Sequence, residues 1–222
     1  VLPRSRFRLP SPERYDQRTD FRLPVEGEWT VVHGGPTRAE SHSWGVLAQR
    51  YACDLVVTDD DGRTYAGEGD DPNDFHCWDE PVVAPAGGVV VDAGDGHRDS
   101  PRTGWLDPRQ RDVRGNYVTI EHDGGEHSVL AHLREGSLTV SEGDRVERGD
   151  VVGRCGHSGN STEPHLHVHV QDGPSFTTSM GLPVQFGDVR TRSPDGETRT
   201  HDETRLRAGQ RVAPLEASAD GE

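Results

Sequence analysis

Between Pro164 and Val170 the chain alternates without exception: His165, His167 and His169 take every second position, and Leu166, Val168 and Val170 take the others. A strand sends successive side chains to opposite faces, so the three imidazoles share one face and three aliphatic groups share the other. The stretch therefore calls for a sheet with an apolar layer behind it and a polar surface in front. The residues before it, Gly159-Asn160-Ser161-Thr162-Glu163, read as the loop that feeds the strand. Imidazole is the commonest metal ligand and also titrates near neutral pH. An H-x-H pair on a strand thus offers a ligand and a base a few ångströms apart.

The remainder of the 222-residue chain fits the same architecture. Short β-branched runs are separated by turn residues, with 27 Gly and 15 Pro, and no long apolar stripe recurs at helical spacing. This predicts an all-β fold, and the length suits one sizeable domain with extensions. The formal charge is −15, and every one of the 24 basic side chains counted as Lys or Arg is an arginine. Such a balance argues against nucleic acid as a partner and keeps the surface strongly solvated. The acidic, lysine-free composition with a single Ile resembles that of salt-loving organisms. Cys53, Cys77 and Cys155 are odd in number and far apart, so they predict reduced, buried thiols rather than a disulfide framework. No apolar stretch has the length of a transmembrane helix and no signal peptide is visible. The first residue is Val1 rather than Met, and the location stays open.

In chain order, residues 1–27 are rich in Pro and Arg and predict an extended N-terminal arm, 28–188 the β domain, and 189–222 a loosely attached C-terminal tail with one hairpin near Pro194-Asp195-Gly196. A first strand is expected over 28–35 and a second over 48–57, where Asp54 interrupts an apolar run. A carboxylate in that position needs a partner or a cation, because burying a lone charge is costly. The acidic stretch 58–74 reads as a solvated loop. Two short strands are expected about the glycine turn in Pro81–Val91 and a hairpin over 115–133 that delivers His132. Glycine-spaced strands are expected over 143–153 and an edge strand over 181–186.

Taken together, Asp54, Pro81-Val82-Val83-Ala84-Pro85-Ala86-Gly87-Gly88, Gly115-Asn116-Tyr117-Val118, Ala131-His132-Leu133, Gly149-Asp150-Val151-Val152-Gly153 and Pro164-His165-Leu166-His167 resemble the lysostaphin/LytM-type zinc endopeptidases, metallopeptidase family twenty-three. The resemblance runs across roughly residues 30–190. It implies a compact antiparallel β-sheet or sandwich core of the duplicated-hybrid-motif type, with a groove. It also implies one Zn2+ per chain and hydrolysis of peptide bonds in a peptide or peptidoglycan-like substrate. On this pattern Asp54 and His167 match metal ligands. His132 and His165 match the two histidines that assist the attacking water and stabilise the oxyanion.

One position departs from the pattern. The family's first ligand is a histidine four residues before the aspartate, and here that residue is Arg50, which stays protonated and has no lone pair to offer. His42, twelve residues before Asp54 in a Gly- and Ser-containing loop, is the expected replacement ligand; His169 is the second candidate, but its place about 6–7 Å further along the strand suits a residue behind the ligands or at their rim. Arg50 reads as an ion-pair partner of an acidic neighbour. The remaining histidines, His33 among them, read as structural or surface residues. A catalytically inactive member that binds a peptide, glycan or protein in the same groove is the alternative function. A carrier domain of the lipoyl type is excluded, because there is no lysine to modify.

Overall fold

The computed structural model describes residues 9–104, 106, 110 and 112–215. Its strands, in chain order, are β1 (Trp29–His33), β2 (Cys53–Val56), β3 (Pro81–Val83), β4 (Gly88–Gly94), β5 (Asn116–Glu121) and β6 (His127–Leu133). They are followed by β7 (Arg145–Val146), β8 (Val151–Arg154), β9 (Leu166–Gln171), β10 (Phe186–Arg192), β11 (Thr198–Thr204) and β12 (Arg211–Pro214). Helical structure among the described residues is one 3₁₀ turn, Pro72–Asp74. Ten strands pair antiparallel in the order β11-β10-β12-β1-β2-β9-β6-β5-β4-β7, and β3 and β8 form a separate two-stranded sheet. The fold is all-β, as the sequence predicts.

The strands that matter most lie in the middle of the large sheet. All seven side chains of β6 and all six of β9 are buried, since these strands are covered on both faces. The aliphatic set of β9 packs into the core with Val31, Leu55, Ile120 and Leu130. Burial of such side chains contributes about 1.5–3 kcal/mol each. The β5–β6 hairpin closes as expected over Asp123-Gly124-Gly125, where Gly125 takes φ +76° and the His122 amide bonds the Glu126 carbonyl at 2.9 Å.

Several expectations are corrected. The second strand is only four residues long, because Ser41–Tyr51 folds as successive turns instead of extending. The strands of the Pro81–Val91 stretch do not pair with each other: β3 joins β8, whereas β4 joins β5 and β7. No edge strand forms over 181–186. Leu182 is instead buried in the core and β10 begins at Phe186.

The C-terminal segment is not a loose tail. β10 and β11 form a hairpin about Pro194-Asp195-Gly196, and β12 inserts between β10 and β1, so that Val189, Leu206 and Val212 are core residues. The N-terminal arm is extended but also integral. Phe21, Leu23 and Val25 are fully buried, and buried Glu126 accepts bonds from the Tyr15 hydroxyl and from the amides of Arg18 and Thr19.

Candidate active site

Three neighbouring strands bring the predicted groups to one level of the sheet. Asp54 of β2 is directly opposite His167 of β9, and His167 is opposite Ala131 of β6. Cross-strand partners share a face, so Asp54 and His167 are forced together, with His167 Nδ1 2.8 Å from Asp54 Oδ1. Simple alternation would send His132, next to Ala131, to the opposite face. A bulge prevents this: Asn116 pairs with Leu133 and Tyr117 with Ala131, leaving His132 as the extra residue, at φ +61°. Bulges re-aim side chains in this way. The left-handed conformation costs about 1–3 kcal/mol, and it is held by hydrogen bonds from the His132 amide to Arg114 O (2.9 Å) and from Gly156 N to His132 O (3.1 Å). The His132 ring lies 4.6 Å from that of His165 and 5.7 Å from that of His167.

His132 and His165 are each anchored through one ring nitrogen. His132 Nδ1 is 2.8 Å from the Ser158 carbonyl and His165 Nδ1 is 2.8 Å from the Glu163 carbonyl. A carbonyl only accepts, so each Nδ1 carries a proton and Nε2 is the nitrogen each ring leaves for the groove. His165 Nε2 lies 3.9 Å from Asp54 Oδ1. Burial, followed by the neighbouring His165 and His167, holds the His132 imidazole well below its usual range. It is therefore a neutral base at pH 7. Burial alone would raise the Asp54 carboxyl. The His167 ring, 2.8 Å away, and the imidazoles of His165 and His42 outweigh it and hold Asp54 below the ordinary carboxylate range.

The loop after β1 supplies the third arm. Its turns carry His42 back over the sheet until His42 Nε2 stands 3.3 Å from Asp54 Oδ2. One donor atom from each of His42, Asp54 and His167 falls within 4.8 Å of the others. Two imidazoles and a carboxylate with an open side form a donor set that suits zinc, with Asp54 Oδ2 facing His42 and Oδ1 facing His167 and, further off, His165. The residues present thus fit a zinc ion.

Arg50 does not enter the site. Its guanidinium lies over the Trp44 ring, 4.8 Å from the centroid, and Nε bonds Trp44 O at 3.4 Å. The expected ion pair is absent among the described residues. His169 does not sit at the rim as a ligand. It is buried behind His167, with Nδ1 3.0 Å from His167 Nε2. Burial pushes its imidazole down to about 3.

Two residues were missed from sequence. A second bulge, in β1, skips Val32 and pairs His33 with Asp54, which puts the His33 ring on the site face 4.8 Å from that of His42. Gln49 reaches within 3.3 Å of His167 Nε2. Nothing in local alternation signals either one. The assembled groups open onto a groove of about 500 Å³. Val46, Leu106 and Val113, all exposed, stand on its rim, with Asn160 and Glu163 beside the histidines.

The family model described as Peptidase family M23 matches residues 73–178, a span that contains His132, His165 and His167 and begins after His42 and Asp54. Peptidoglycan DD-endopeptidase ShyB of Vibrio cholerae is 31% identical over 104 residues, covering 46% of this chain and 22% of the relative. DD-carboxypeptidase/endopeptidase Mpg of Neisseria meningitidis is 38% identical over 106 residues, 47% of this chain and 20% of that one. The matches span about a fifth of the length of these curated relatives. Among solved structures, the catalytic domain of lysostaphin from Staphylococcus simulans superposes with a TM-score of 0.40 at 20% identity, covering 70% of this chain and 88% of that domain.

Proposed function

The chain belongs to peptidase family M23, and from that premise we propose that it is a zinc-dependent endopeptidase acting on peptidoglycan-type peptides. The observation that carries the reading is the convergence of Asp54, His42 and His167 with His132 and His165 on one groove. His42, Asp54 and His167 would hold the metal, with His42 taking the place that Arg50 vacates. A zinc ion there supplies a Lewis acid and brings the pKa of water towards about 7.

The chain's own residues supply the rest. His132 Nε2, neutral and turned into the groove, takes the proton from the attacking water as general base and returns it to the amine nitrogen as the peptide C–N bond breaks. His165, whose Nδ1–H is anchored on Glu163 O, lies next to it, and its Nε2 faces the place where the carbonyl oxygen gains charge. When that nitrogen is protonated it donates to the oxyanion. The Ser158 and Glu163 carbonyls prevent both rings from turning over, so the two Nε2 atoms stay aimed at one reaction volume. The rim of Val46, Leu106 and Val113 gives a peptide backbone an apolar ledge to lie against. The peptidoglycan assignment is supported by the naming of the relatives as peptidoglycan DD-endopeptidases.

The test is elemental analysis of the chelator-free, untagged protein together with digestion of purified sacculi, with products read by mass spectrometry. The wild type is expected to carry near one zinc per chain, and His42→Ala and His167→Ala to lose it. His132→Ala is expected to keep zinc while hydrolysis falls by about 10²–10⁴-fold. A wild type without zinc, or hydrolysis untouched by His132→Ala, would sink the assignment.

A further inference from the structure

On the inner face of β9 three side chains at every second position form a continuous line: His167 Nε2 to His169 Nδ1 at 3.0 Å, His169 Nε2 to Gln171 Oε1 at 3.1 Å, and Gln171 Nε2 to the Gly173 carbonyl at 2.8 Å. All three residues are buried. With both rings neutral, the line has one consistent direction. Gly173 O accepts, so the Gln171 amide nitrogen donates to it and the amide oxygen is turned to His169. That oxygen also accepts, so His169 Nε2 carries the proton, and the neutral ring leaves a lone pair on Nδ1. His169 is then an acceptor for His167, whose proton sits on Nε2. The lone pair of His167 Nδ1 is left facing Asp54 Oδ1 at 2.8 Å. Two acceptors at that distance repel unless a positive charge lies between them.

Resting on the metal reading above, we propose that His169 and Gln171 are positioning residues that commit the His167 tautomer to metal binding through Nδ1. The strand geometry makes this economical. Residues two apart on one face are about 6–7 Å apart, a span that an imidazole bridges with its two nitrogens. A metal-bound histidine ordinarily gives its second ring N–H to a carboxylate, carbonyl or water, and here another imidazole takes that place. Gln49 Nε2, 3.3 Å from the same His167 nitrogen, presents an amide N–H and is not the acceptor of that proton.

The experiment is competition of the full chain with a chromophoric chelator for zinc alone, combined with long-range ¹H–¹⁵N spectra of the imidazoles. Wild type, His169→Leu, His169→Asn, Gln171→Leu and Gln49→Ala are compared. His169→Leu should weaken zinc binding by about 10–100-fold and abolish the slowly exchanging His167 Nε2–H signal. His169→Asn, whose side-chain oxygen replaces the acceptor, should restore both. Gln171→Leu should give a smaller loss of the same sign, and this variant with His169→Asn decides the matter should His169→Leu fail to fold. Zinc affinity unchanged in His169→Leu, or lost equally in folded His169→Leu and His169→Asn, overturns the relay while leaving the metal site standing. A loss as large in Gln49→Ala overturns it also, because the acceptor is then Gln49. Absence of zinc from the wild type overturns the metal reading and the relay with it.

Discussion

Ser158 is a fully buried hub beneath the site, and Ser158→Ala separates stability from metal binding. Its hydroxyl accepts from Asn116 N at 2.9 Å and donates to Leu133 O at 2.7 Å, while its main-chain carbonyl anchors His132 Nδ1 at 2.8 Å. Removing the hydroxyl leaves the Asn116 amide in the interior without an acceptor, at a cost of about 1–3 kcal/mol. The Leu133 carbonyl is less affected, since Asn116 Nδ2 still reaches it at 2.9 Å. The expected loss is therefore about 2 kcal/mol, which in a domain of this size lowers Tm by roughly 4–8 °C. The main-chain anchor of His132 survives, so zinc per chain should be unchanged. Urea unfolding of the metal-free protein measures the first quantity and elemental analysis the second. A loss under about 0.5 kcal/mol would refute the claim that Asn116 N depends on this hydroxyl. Loss of zinc would refute the separation of stability from metal binding.

Two further outcomes test the rest of the description. Arg50→Ala should keep zinc at the wild-type level and cost only about 0.5–1 kcal/mol, the worth of its stacking on Trp44; loss of zinc in that variant would mean that Arg50 shapes the site. In the metal-free protein, burial holds His122, His157 and His169 below their ordinary range. The unfolded chain takes up these protons first, so their stabilisation is complete above about pH 6.5 and falls as the pH drops below it. His169, held at about 3, alone removes about 2 kcal/mol between pH 6.5 and pH 5. Chemical unfolding of the chelated protein at pH 7.5 and pH 5 checks this, and equal stability at the two values would contradict the buried, neutral assignment.

Part of the site was legible in local patterns. Strict alternation over Pro164–Val170 defines a strand and puts His167 and His169 on one face, because the period of a strand is a property of the backbone. A carboxylate in the apolar run around Asp54 demands partners, and it has three imidazoles within 4 Å. The sequence also carried a signal that went unused: Phe186–Arg192 alternates buried and exposed positions, with Val189 and Thr191 inward, inside a segment whose charge density suggested a tail. That such a segment returns as β12 between β10 and β1 depends on pairing between residues nearly two hundred positions apart, which no local pattern encodes.

The tertiary structure alone decided the composition of the site. The bulges that turn His132 and His33 inwards arise from mismatched registers between strands, and alternation by itself places His132 on the wrong face. The entry of His42 depends on the turns between Ser41 and Tyr51, and the exclusion of Arg50 on the ring of Trp44 that holds it. Residue types and spacing determined that a strand with histidines on one face exists. Only the packing of non-adjacent strands and loops determined which side chains meet there, since distances between such segments are set by closure of the whole sheet rather than by neighbours in the chain.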